Sequence, residues 1–220
     1  MQFYKQPVRE GRLRLTDLLL LELKQNKSVL WLVTGGSSIK TAVAIMNDLS
    51  GHESNLTISL TDERYGPVGH PDSNWQQLLD AGFNSGSAKT HPVLENGLSL
   101  EVTAQLFSEW LDDTLQMVDI AIGQFGIGSD GHISGILPHS VATEPTEALA
   151  ICYKTDQYAR VTTSFAAIKR LNMTYCFVYG EDKQLALQKL LHKQVPLAEQ
   201  PAQILKQLSQ AYVYNDQVGE

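Results

Sequence analysis

Three short apolar runs, residues 28–33, 55–61 and 118–125, each lead into a loop of glycines, hydroxyls and charges. The loops are Thr34-Gly35-Gly36-Ser37-Ser38, Asp62-Glu63-Arg64 with the residues to 71, and the glycine-rich stretch 126–138. Helical spacing fills the intervals at 11–25 (Leu15, Leu18, Leu19, Leu23), 39–49, 73–81, 99–116 and 181–192. Further strand patterns fall near 148–153, 158–163, 173–179 and 211–214. Strands that alternate with helices build βαβ units, so the chain is expected to form an α/β fold with a mainly parallel central sheet covered by helices on both faces. Ligands of such sheets sit beyond the carboxyl ends of the strands, so the three loops are expected to converge at one edge.

At 220 residues the expectation is one domain, 1–220. A net charge of −7, split as −3 and −4 between the halves with no basic stripe, excludes a nucleic-acid partner. An anionic small molecule therefore has to be held by a few local cations and oriented amides, against the overall sign of the protein. No apolar run approaches membrane-spanning length, and residues 1–14 are polar and basic, unlike a secretion signal. Cys152 and Cys176 lie on expected strands without a CxxC pairing, which reads as two core thiols in a cytoplasmic protein. The expected assembly is a monomer or weak homo-oligomer.

Each loop has a bland and a sharp reading. Gly35, Gly36, Ser37 and Ser38 sit between strand and helix, where amides and the helix dipole favour an anion; the alternative is a tight turn with a serine cap. A P-loop is excluded because Ile39 stands where the glycine before Lys40 is required, and a nucleophile elbow lacks its last glycine. Gly126, Gly128 and Gly131 spell GxGxxG after a strand, but Gly135 and Pro138 spoil the helix that would hold a pyrophosphate. Within that loop His132, flanked by glycine, is the candidate proton-transfer group, because an imidazole titrates near neutral pH; Asp130 is placed to orient it. No metal is expected: His132 and His139 have no carboxylate or cysteine at ligand spacing. His52, His70, His91 and His192 read as surface or loop residues.

Asp62, Glu63 and Arg64 close a strand whose Leu56, Ile58 and Leu60 read as buried, so the charges must face a polar cleft or pair with each other. Arg160 and Lys183 also fall at element ends and, with the GGSS loop, are expected to enclose a phosphate.

In order along the chain, GGSS, TDERYGPVGHPDSNW, GIGSDGHISGILP, YGEDK and PAQIL resemble the motifs of 6-phosphogluconolactonases, a branch of the group that includes glucosamine-6-phosphate deaminases. The matches run from about residue 34 to 205. The resemblance implies a three-layer, Rossmann-like α/β fold. It implies hydrolysis of 6-phospho-D-glucono-1,5-lactone to 6-phosphogluconate in the pentose phosphate pathway, without metal or cofactor. It also places Arg64 in the substrate cleft. Three places depart from the family pattern: Ile39 replaces a loop proline, Tyr65-Gly66 follows DER, and residues 133–137 lack the usual small residues and Phe. Deaminases carry DEY for DER and a glutamate beside the proline that ends the histidine loop; here Leu137 precedes Pro138.

Overall fold

The computed structural model describes residues 1–219. Its strands are β1 (Gln2–Lys5), β2 (Val29–Val33), β3 (Leu56–Leu60), β4 (Asp62–Arg64), β5 (Lys89–Thr90), β6 (Ile120–Phe125), β7 (Ala150–Lys154), β8 (Ala159–Thr163), β9 (Met173–Val178) and β10 (Ala211–Asn215). Its helices are α1 (Val8–Lys24), α2 (Ile39–Asp48), α3 (Asn74–Asp80), α4 (Leu100–Met117), α5 (Phe165–Lys169) and α6 (Gln184–His192).

Seven strands form one parallel sheet in the order β1-β10-β9-β6-β2-β3-β5. Every residue of β2 and β6 is buried, so the sheet is covered on both faces, which is why these strands read as continuous apolar runs. From β2 the chain builds outward through β3 to β5, and from β6 through β9 to β10. The order therefore reverses between β2 and β6, where an open α/β sheet leaves its binding crevice. Helix α1 buries Leu15, Leu19 and Leu23 while Leu18 stays at its margin. Gly11 of that helix lies against the Tyr214 ring, where a Cβ would come within 2.4 Å of Cγ. Side chains of Ser73, Ser99 and Ser164 cap α3, α4 and α5.

A second sheet, order β4-β8-β7, is antiparallel, and it corrects two expectations. Residues 62–64, read as loop, are a strand; β7 and β8, read as part of the parallel sheet, are its hairpin partners. Four residues, 155–158, separate β7 from β8, far fewer than the dozen or so that a parallel crossover needs. Thr61 joins the sheets: its N–H donates to Val33 O at 2.8 Å and its carbonyl accepts from Thr163 N at 2.9 Å. β1, β5 and α5, of four, two and five residues, are too short to show a period in the sequence. No helix among the described residues is long and apolar enough to cross a membrane.

His91, read as a surface or loop residue, lies in the loop after β5, where its half-buried ring stacks on Trp110 with ring centroids 3.9 Å apart and planes 4° apart. Burial lowers its pKa from 6.5 to about 4. Between those values the unfolded chain takes up a proton that the folded chain refuses, so this contribution to stability is complete above pH 6.5 and is lost as pH falls toward 4. Urea unfolding at pH 7 and pH 5 is expected to show the wild-type protein losing about 1 kcal/mol more than His91→Phe, less than the full shift because the ring keeps some water contact. Equal losses would exclude His91 as the acid-sensitive group.

Candidate active site

The carboxyl ends of four neighbouring strands, β9, β6, β2 and β3, deliver their loops to one cleft of about 200 Å³. Gly35, Gly36, Ser37, Ser38, Asp62, Arg64, His132, Arg160 and Lys183 all line it, so the expected convergence occurs. Asp130 is not part of the wall and reaches the cleft through its contact with His132. Thr34, Asn74, Gly126, Ile127, Gly128 and Ser134 also line the cleft and were not singled out from sequence, although Asn74 belongs to the HPDSNW segment and the two glycines to GxGxxG.

The first loop turns through a short 3-10 segment, Gly36–Ser38, with Gly36 at φ 67°. No serine side chain caps α2, so the capping alternative is not realised and the Ser37 and Ser38 hydroxyls are not spent on the helix. Gly35 is required by its neighbour, since a Cβ there would sit 2.0 Å from Asn74 Oδ1. Ile39, a departure from the family pattern, is buried in the core.

In the second loop the three charges do not pair with one another, which removes the mutual salt bridge. Glu63 is fully buried and accepts from Arg64 N (2.7 Å), Asn74 N (2.6 Å), Ser73 Oγ (2.8 Å) and Trp75 N (3.0 Å), so it ties β4 to the start of α3. Burial pushes its carboxyl above the usual range, against the pull of those four bonds. Asp62 accepts from Thr61 Oγ1 at 3.1 Å and faces Arg160 Nη1 at 3.8 Å. Arg64 donates from Nη1 to Asp72 O at 2.9 Å, and no carboxylate among the described residues pairs with it. Gly66, another departure, leaves space for the His70 ring, whose Nε2 lies 2.9 Å from Arg64 O, so the half-buried His70 supports the loop it belongs to. Tyr65 donates to Leu98 O at 2.6 Å.

The third loop folds on itself through bridges from Ile133 to Ile127 and Ile136, so no helix follows the GxGxxG pattern. Both Ile133 and Ile136 are fully buried, which assigns the departures at 133–137 to packing beneath the histidine. Ser134, at φ 54°, donates to Thr61 O at 2.7 Å and lies 3.0 Å from both Thr162 Oγ1 and Thr163 Oγ1, anchoring the loop to the second sheet. Gly128 N donates to His132 O at 3.0 Å, and a Cβ on Gly128 would come within 2.1 Å of His132 Nδ1.

His132 Nδ1 lies 2.7 Å from Asp130 Oδ1, which also accepts from His132 N at 3.1 Å. Burial raises the Asp130 carboxyl, but the hydrogen bond and charge of His132 and the loop amides outweigh it, and its pKa ends below the usual range. An ionised Asp130 accepts the proton of Nδ1, so the neutral ring carries its lone pair on Nε2. Lys183 reaches the cleft from the turn after β9, with Nζ 2.9 Å from Asp182 Oδ2. No group of three or more His, Cys, Asp or Glu among the described residues is arranged to hold a metal ion.

Fold and cleft together define a doubly wound α/β protein whose crevice is lined by two guanidiniums, an ammonium and a carboxylate-oriented imidazole. The chain belongs to the family described as glucosamine-6-phosphate isomerases/6-phosphogluconolactonase, whose model matches residues 8–214. A 6-phosphogluconolactonase of Synechocystis sp. is 27% identical over 171 residues, covering 72% of this chain and 70% of that protein. The crystal structure of a 6-phosphogluconolactonase from Shewanella baltica superposes with a TM-score of 0.80 at 21% identity, over 97% of this chain and 96% of the other. A monomeric glucosamine-6-phosphate deaminase superposes with a TM-score of 0.81 at 20% identity, over 98% and 97%. The fold is thus common to lactonases and deaminases, and the side chains must distinguish them.

Proposed function

We propose that this chain hydrolyses 6-phospho-D-glucono-1,5-lactone to 6-phospho-D-gluconate, a step of the pentose phosphate pathway. The observation that carries the reading is the Asp130–His132 pair at the mouth of a cationic cleft, with no carboxylate between His132 and Pro138. A ring-opening isomerisation needs a second proton carrier at that point, and the buried Ile133 and Ile136 do not supply one. Among curated relatives, the Synechocystis protein and one from Pseudomonas aeruginosa, 25% identical over 178 residues, are both named 6-phosphogluconolactonase.

A lactone is an activated ester, so water suffices as nucleophile. His132 Nε2 takes a proton from water as its oxygen bonds to C1, and the carbonyl electrons move onto an oxyanion held by Arg64. The tetrahedral species collapses, the bond from C1 to the ring oxygen breaks, and the imidazolium returns its proton to that oxygen. Asp130 favours the imidazolium formed midway, and Asp62 sets a carboxylate 3.8 Å from Arg160 Nη1. The GGSS loop, Arg160 and Lys183 grip the phosphoryl group. The free thiols Cys152, half-buried, and Cys176, buried, suit the cytoplasm.

Acid release from freshly made 6-phosphogluconolactone, followed at constant pH and corrected for spontaneous opening, is expected to exceed the blank. Ammonia release from glucosamine 6-phosphate is expected to be absent; the reverse pair of results would make the chain a deaminase. Gly128→Ala pushes a methyl group between His132 and Asp130. It is expected to lower kcat/KM about a hundredfold, the cost of a displacement of order 1 Å.

A further inference from the structure

The hairpin between β7 and β8 brings one aromatic ring to both arginines of the cleft. Cζ of Arg64 lies 5.3 Å from the centroid of the Tyr158 ring and Cζ of Arg160 lies 5.4 Å from it. The two arginines are direct cross-strand partners on β4 and β8, a placement in which like charges repel. Asp62 is the one carboxylate among the described residues that pairs with either, at 3.8 Å from Arg160, too long for a hydrogen bond. Nε of each arginine is buried without a partner, so neither guanidinium plane is fixed by a fork of hydrogen bonds.

The backbone of Tyr158 is fixed in the hairpin turn. Its N–H donates to Thr155 Oγ1 at 3.0 Å, and its carbonyl accepts from Thr155 N at 2.8 Å and Thr155 Oγ1 at 3.0 Å. Tyr65 N, one residue beyond Arg64, donates to Ala159 O at 2.8 Å, which locks the end of β4 to the same hairpin. The Tyr158 hydroxyl makes no hydrogen bond among the described residues, so the ring is the part of the side chain in use.

We propose that Tyr158 is a positioning residue for the reaction: its ring holds Arg64 and Arg160 side by side as one cationic unit, Arg64 toward the lactone carbonyl and Arg160 toward the phosphoryl group. The negative face of the ring offsets the mutual repulsion of the guanidiniums and orients their free N–H groups into the cleft. This rests on the lactonase reading above.

The test compares Tyr158→Phe, which keeps the ring, with Tyr158→Leu, which keeps apolar bulk without it. Phe is expected to stay within about twofold of wild-type kcat/KM. Leu is expected to lose about five- to thirtyfold, in both kcat and KM, and to bind inorganic phosphate more weakly by calorimetry. Phosphate binding needs no turnover, so a wild-type chain without lactonase activity would end the functional reading while leaving Tyr158 testable. Should Tyr158→Leu melt early, Tyr158→Met takes its place. Leu or Met matching Phe in turnover and phosphate affinity would overturn the proposal. So would a Phe variant as impaired as Leu, since the hydroxyl and not the ring would then matter.

Discussion

His132→Asn is expected to lose about a hundred- to ten-thousandfold in kcat/KM, the range for removing a positioned general base. The substitution keeps a hydrogen-bonding side chain beside Asp130 and leaves the Gly128 N–H to His132 carbonyl bond, which is backbone. The side chain is 36% exposed and supports little of the core, so the melting curve is expected to be unchanged. What disappears is the lone pair at Nε2. The reaction requires an unprotonated Nε2, because an imidazolium cannot accept a proton from water. The Asp130 carboxyl lies below the usual range, which favours the carboxylate that accepts from Nδ1. Spontaneous opening of the lactone accelerates at high pH and is subtracted at each point. Activity surviving in a folded His132→Asn protein would remove the residue as the base. EDTA is expected to leave wild-type activity unchanged; sensitivity to it would point to a metal instead.

Residues whose meaning is local were legible in the chain. Gly35, Gly36, Arg64 and His132 could be placed at the sheet edge because each follows an apolar run that only a covered parallel strand explains. What sequence hides is pairing at a distance. Arg64 meets Arg160 across a second sheet whose strands lie about a hundred positions apart, and nothing in Asp62-Glu63-Arg64 announces that it is a strand. The four-residue gap at 155–158 did carry a signal, because it is too short for a parallel return. His91 and Tyr158 were missed for a different reason: a lone aromatic or imidazole acquires its role from the rings and charges it meets in space. The serine cap at α2 failed because Ser38 adopts helical angles instead of the extended ones a cap needs.

Arg160→Ala and Lys183→Ala are each expected to lower kcat/KM for the phosphorylated lactone about ten- to a hundredfold, the cost of roughly 1.5 to 3 kcal/mol for one charge-assisted contact. Binding energy at the phosphoryl end also positions C1 for attack, so kcat should fall along with a rise in KM. Unphosphorylated gluconolactone lacks that handle, and on it both variants should match the wild-type protein. The two residues differ in what they leave behind. Lys183 faces Asp182, whose side chain is 63% exposed, so its loss strands nothing. Arg160 faces Asp62, which is 4% exposed and otherwise accepts only from Thr61 Oγ1, so its removal leaves a buried carboxylate without a cation. Arg160→Ala is therefore expected to melt earlier, by an amount equivalent to about 1 to 3 kcal/mol, while Lys183→Ala melts normally. Lys183→Ala is consequently the cleaner probe. If a normally folded Lys183→Ala protein loses as much on gluconolactone as on its phosphate ester, the lysine acts outside phosphate recognition and the cleft must bind its ligand the other way round.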